Sequence, residues 1–134
     1  MPRSWFPLES NPEVMTAYME KLGMNTAQYS FCDVLSTEDW ALEMVPRPVL
    51  AVLMLFPITE VEEEHRHREA ERIAKEGESV SSSVFFTKQT ISNACGTIGL
   101  LHAAGNGRLA APDLVIPESH LDVLLRETAS LDSG

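Results

Sequence analysis

The sequence predicts an α+β fold. Three observations carry that expectation: segments with helix caps and helical apolar spacing, one continuous apolar stretch enclosed by prolines, and two short apolar runs between polar turns. Asn11-Pro12-Glu13 starts the first helix. It offers a capping side chain, a proline at the first helical position and an acid near the positive dipole end. Val14, Tyr18, Met19 and Leu22 recur at helical spacing and Gly23 supplies the stop, so the expected helix runs over 12–22. Phe31-Cys32-Asp33-Val34 is a candidate strand. A helical turn begins at Thr37-Glu38-Asp39-Trp40 and runs to about Val45, where Pro46 and Pro48 end it.

Val49 to Phe56 is apolar throughout rather than alternating, which predicts a strand buried on both faces and closed by Pro57. Glu60 to Glu76 is dense in charge and free of glycine and proline. It predicts a solvated helix ending near Gly77, with opposite-charge pairs such as Glu62–Arg66 and Glu64–Arg68 one turn apart. His65 and His67 lie in it two residues apart, a spacing that turns them away from each other on a helix, so no metal site is expected. Val84-Phe85-Phe86 is a second short apolar run. A helix then begins after Asn93, with Ile98, Leu100 and Leu101 on its apolar side and Gly105-Asn106-Gly107 as its terminator. Ser119 caps a last helix with Leu121, Leu124 and Leu125 inward.

The bulk numbers narrow the partners. The chain has 134 residues, one domain's worth, and a net charge of −10. Such a surface repels nucleic acid and anionic lipid, and attracts basic partners. The amino terminus has no apolar signal-peptide core, and the most apolar run, Val49 to Ile58, is half a bilayer span. Two cysteines, Cys32 and Cys95, form neither a disulfide framework nor a CxxC metal motif. A reduced, soluble, cytoplasmic protein is expected.

The informative stretch is Gln89-Thr90-Ile91-Ser92-Asn93-Ala94-Cys95-Gly96-Thr97. Cys95 falls in the first turn of a predicted helix, where the dipole and free N–H groups favour an anion. Gly96 leaves room for a substrate backbone. Gln89, six residues upstream, can donate its amide into an oxyanion site. From composition and spacing alone, a buried structural cysteine is the more frequent outcome, and Cys32 is expected to serve packing.

That stretch resembles the active-site signature of the ubiquitin carboxyl-terminal hydrolases, a family of cysteine deubiquitinases. Trp5 to Val14 is similar to the family's amino terminus, and Met44 to Val49 with Leu55 to Thr59 to its first core strand. The similarity is strongest over 5–104 and looser beyond, chiefly from Pro117 to Asp132. The resemblance implies a papain-like fold with helices around an antiparallel sheet. Residues 1–134 would be the amino-terminal part of one catalytic domain. Cys95 would be the nucleophile and Gln89 the oxyanion stabiliser. Pro7, Leu8, Glu9, Ser10, Asn11 and Pro12 would contact ubiquitin, or a ubiquitin-like protein as the alternative. No metal or cofactor is implied.

In the family a catalytic histidine and an orienting aspartate follow the nucleophile helix, and their counterparts would lie after residue 134. His102 is seven residues along the same helix, about 10 Å from Cys95 by helical rise, and it matches a family position that is not catalytic. His120 stands at the start of the last helix, and a surrogate base there is not expected. The expectation is therefore a thiol hydrolase domain of which this chain is the front part, inactive by itself. The alternative is an inactive ubiquitin-binding or regulatory fragment. A front part would leave the Val49–Phe56 strand with an open edge and the apolar side of the nucleophile helix uncovered.

Overall fold

A computed structural model describes residues 3–131; Asp132, at the end of the looser similarity, lies outside them. The chain divides into two units, Met1–Val52 with Phe85–Gly134, and Leu53–Val84.

In the first unit, α1 spans Pro12–Leu22. Asn11 caps it by accepting a hydrogen bond from the Glu13 N–H, and Gly23 ends it at φ 121°, a backbone conformation that costs glycine little. A short helix, α2, covers Asp39–Glu43. The second unit carries α3, Glu60–Glu76, closed at its start by a reciprocal capping box between Thr59 and Glu62 and at its end by Gly77. Back in the first unit come α4, Cys95–Gly107, a 3₁₀ turn over Pro112–Leu114, and α5, His120–Thr128, capped by Ser119.

The core of the first unit is helical. Met19 of α1, Leu100 and Ala104 of α4, and Leu121 and Leu125 of α5 pack with Met24, Ala111, Leu114 and Val115. Met19 and Leu100 are fully buried at 0 % exposure. The apolar side of α4 is thus covered by α1 and α5 rather than left open, because both bring a helical-period apolar stripe to it. Leu124, expected inward, is 39 % exposed; one residue before Leu125, it falls about 100° around the helix from it.

Two backbone bridges tie distant segments together: Ser4 pairs in parallel with Ser92, and Met24 antiparallel with Val115. They are single bridges. Among the described residues no strand ladder forms, so the expected antiparallel sheet is not seen. Phe31–Val34 and Val49–Phe56 are without regular structure, and Val52, Met54 and Leu55 are largely exposed, not buried on both faces. A continuous apolar run reports a demand for partners on both sides; an extended segment acquires ladder hydrogen bonds only where a second strand meets it.

In α3 the ion pairs differ from those expected. Arg66 pairs with Glu63, and Arg72 bridges Glu69 and Glu76. Those bonds raise the Arg72 guanidinium pKa and lower that of the Glu69 carboxyl, the hydrogen bond being the largest cause in each. His65 and His67 are exposed, as expected of a solvated face.

Candidate active site

The approach to Cys95 is a tight turn. Ile91 O accepts from the Ala94 N–H at 3.3 Å, and Asn93 adopts φ +63°, a left-handed conformation that asparagine tolerates better than most residues. Ala94 precedes the helix with φ −87° and ψ 5°, and no side chain caps α4. Cys95 is the first helical residue, a free and exposed thiol. The first-turn N–H groups that Asn11, Thr59 and Ser119 satisfy in α1, α3 and α5 are here left without a side-chain cap, beside the Cys95 thiol.

Gln89 is exposed, and its amide Nε2 donates to Ile91 O at 3.0 Å. The same carbonyl closes the turn into Cys95. One N–H of the amide is therefore anchored to the turn that leads into Cys95, and a carboxamide carries a second N–H. Cys95 and Gln89 are thereby joined through one carbonyl. Cys32, expected to pack, is exposed as well.

The amino-terminal segment lies against this turn. The Trp5 N–H donates to Ser92 O at 2.9 Å, and Asn93 Nδ2 donates to Ser4 Oγ at 3.4 Å. Leu8 packs on Gly96 so closely that a Cβ there would stand 2.7 Å from the Leu8 Cβ. The small residue after the cysteine makes room for Leu8, then, where the sequence reading had it make room for substrate. Pro7, Glu9 and Ser10 are exposed, while Leu8, Asn11 and Pro12 are half-buried. Of the residues expected to touch ubiquitin, Leu8 is thus brought against α4, whereas Asn11 is spent on capping α1. Tyr18 of α1 adds a hydroxyl contact to Thr97 at 3.2 Å.

His102 is engaged with the backbone of Thr87. Its Nε2 lies 3.0 Å from both the N–H and the carbonyl of Thr87, and Phe86 stacks on the ring at 5.1 Å between centroids. Asn106 is inside α4 rather than its terminator. Its Oδ1 accepts from the Phe85 N–H and its Nδ2 donates to Phe85 O, each at 2.9 Å. Sequence reasoning passed over this pair. The available signal was two amphoteric side chains one turn apart on a helix otherwise made of Gly, Ala, Leu, Ile and Thr after its cysteine. Among the described residues no cluster of His, Cys, Asp and Glu could hold a metal, and no helix is long and apolar enough to cross a membrane.

Cys95 is thus an exposed cysteine at an uncapped helix start, with the Gln89 carboxamide anchored to its turn. Residues 5–134 match the family described as ubiquitin carboxyl-terminal hydrolase, family 1, and the chain belongs to that family. It is 45 % identical over 129 residues to ubiquitin carboxyl-terminal hydrolase 3 of Arabidopsis thaliana, covering 96 % of this chain and 53 % of that one. It is 43 % identical to a ubiquitin carboxyl-terminal hydrolase of Drosophila melanogaster over 128 residues, 96 % of this chain and 54 % of that one. A probable ubiquitin carboxyl-terminal hydrolase of Dictyostelium discoideum is 45 % identical over 104 residues, 78 % of this chain and 40 % of that one. The chain spans about half the length of these relatives.

Proposed function

We propose that this chain carries the nucleophile half of a ubiquitin carboxyl-terminal hydrolase centre. Cys95 attacks the carbonyl of the ubiquitin C-terminal glycine, and a bond forms between its Sγ and the carbonyl carbon. The carbonyl oxygen takes the negative charge, which a Gln89 N–H and the first-turn N–H groups of α4 stabilise. Collapse expels the small adduct or peptide, whose amine takes a proton; water then hydrolyses the thioester and frees the thiol. The base that takes the thiol proton and returns it to the amine is assigned to the part of the relatives that this chain does not cover. His102 is engaged with Thr87, so the 134-residue polypeptide alone is expected to acylate without efficient turnover.

The observation that carries this reading is the shared Ile91 carbonyl, which links the Gln89 amide to the turn that presents Cys95, in a chain that belongs to the hydrolase family. The segment from Pro7 to Pro12, of which Leu8 lies against Gly96, is assigned to ubiquitin contact, with a ubiquitin-like protein as the alternative ligand. A ubiquitin bearing a C-terminal electrophile is the test. The expected result is an adduct on Cys95, faster when the carboxyl-terminal half of a relative is supplied in trans. No adduct on Cys95 under either condition removes the reading.

A further inference from the structure

The run from Phe85 to Thr87 has no regular structure and no strand partner among the described residues, yet side chains of α4 bond backbone polar groups of Phe85 and Thr87. Asn106 takes both the N–H and the carbonyl of Phe85, and the His102 Nε2, 3.0 Å from each, takes either the N–H or the carbonyl of Thr87 as its tautomer dictates. The spacing explains why one helix can do this. Alternate residues of an extended chain are about 6.6 Å apart, and one turn of α-helix, four residues on, rises about 6 Å. A carboxamide and an imidazole one turn apart therefore present acceptor and donor atoms at nearly the interval of a strand edge. Asn106 Nδ2 also donates to the main-chain carbonyl of His102 at 2.8 Å, which fixes the carboxamide on its own helix.

Phe85 lies opposite residue 106 and Thr87 opposite 102, so the segment runs antiparallel to α4. The next residue on the same edge is Gln89, and the next helix position is 98. Continuing that register places Gln89 level with a position three residues past Cys95, about 4.5 Å along the axis. The helix that presents the nucleophile thus also grips the segment that carries the oxyanion donor.

We propose that His102 and Asn106 are positioning residues for Gln89, setting its distance from Cys95 through the backbone of Phe85 and Thr87. The proposal rests on the oxyanion role given to Gln89 above. Neither side chain touches the substrate. Their loss leaves the thiol in place and misplaces the donor, and a donor misplaced by about 1 Å forfeits much of its effect.

The test compares two reactions of Cys95 in the full chain, in a Cys32→Ser background so that one thiol remains. With 4-nitrophenyl acetate, the sulfur bonds to the acetyl carbon, an oxyanion forms transiently and 4-nitrophenoxide leaves. With iodoacetamide, the sulfur displaces iodide and no oxyanion forms. Neither reagent depends on ubiquitin. His102→Leu is expected to slow the nitrophenoxide burst roughly tenfold, in line with loss of one oxyanion donor short of its full effect, while alkylation is unchanged. His102→Gln, whose amide can replace the imidazole's hydrogen bond to Thr87 as either acceptor or donor, restores the burst. In a Gln89→Ala background, His102→Leu has no further effect.

Equal slowing of both reactions by His102→Leu, or an undiminished effect without Gln89, overturns the positioning role. If His102→Leu does not fold, Asn106→Asp, which keeps the acceptor and loses the donors, reads the same ratio. A burst that Gln89→Ala leaves unchanged overturns the oxyanion reading itself, and with it this proposal, while the ubiquitin assignment is untouched.

Discussion

Replacing Gly105 with alanine sets two known effects against each other. Glycine inside a helix costs about 1 kcal/mol relative to alanine, so propensity alone predicts that Gly105→Ala stabilises α4. The surroundings predict the opposite. A Cβ at 105 would stand 2.5 Å from Phe85 Cδ1, 2.8 Å from its Cγ and 3.1 Å from Leu125 Cδ2. A ring cannot yield as the end of an aliphatic chain does, and Phe85 is also held through its backbone by Asn106. Overpacking of this kind costs about 1–3 kcal/mol, so the net expectation is a loss of roughly 1 kcal/mol and a Tm lower by about 4 °C. Gly107→Ala is the internal comparison. Its Cβ meets Leu114 Cδ2 at 3.0 Å, the tip of a flexible side chain, and its stability should stay within about 0.5 kcal/mol of wild type. Urea midpoints for both variants decide between the effects. Gly105→Ala as stable as wild type, or Gly107→Ala falling equally far, would refute this account of the Phe85 contact. Phe85→Leu in the Gly105→Ala background should recover part of the loss, as touching residues couple.

Asn11→Ala removes the acceptor for the Glu13 N–H and should cost about 1 kcal/mol by chemical denaturation, with Asn11→Asp close to wild type. The Tyr29 hydroxyl donates to Asp113 Oδ1 at 2.6 Å; that bond first, then desolvation and the carboxylate charge, raise the phenol pKa. The contact's stability is therefore full below the unfolded phenol value near ~10 and is lost as pH climbs through the raised folded value. Tyr29→Phe should flatten that alkaline loss in urea midpoints measured on both sides of the transition. Both cysteines are exposed, so alkylation of the native chain should add two carbamidomethyl groups by mass and Cys95→Ala should add one. A single adduct on the unsubstituted chain would count against that exposure.

The helices were legible because their signals are local. Asn11-Pro12 and Gly23 bound α1 at the expected residues, and Thr59 with Glu62 and Gly77 bound α3, since caps need only a few neighbouring residues. The Val49–Phe56 strand was not legible, because its state depends on segments far away in sequence. Gly96 was misassigned for a similar reason. Its spacing announces a close approach, and only the folded chain shows that Leu8 makes it. The helix start at Cys95 was legible after Asn93, but the thiol's exposure was not, since composition and spacing favoured a buried cysteine; the anchoring of Gln89 to Ile91 and the grip of His102 and Asn106 on Thr87 and Phe85 involve backbone atoms, which leave almost no mark on side-chain pattern.

The contacts that tie the first residues to the turn before Cys95 also govern when the chain can fold. Asn93 meets Ser4 across 89 positions, Tyr29 meets Asp113 across 84, and Tyr18 meets Thr97 across 79. During synthesis at about 5–20 residues per second, the amino-terminal segment and α1 wait some seconds before any of these partners leaves the ribosome. Until then the apolar stripe of α1 is open to chaperones. The nascent protein is recognisable by its front end well before it has a site to protect.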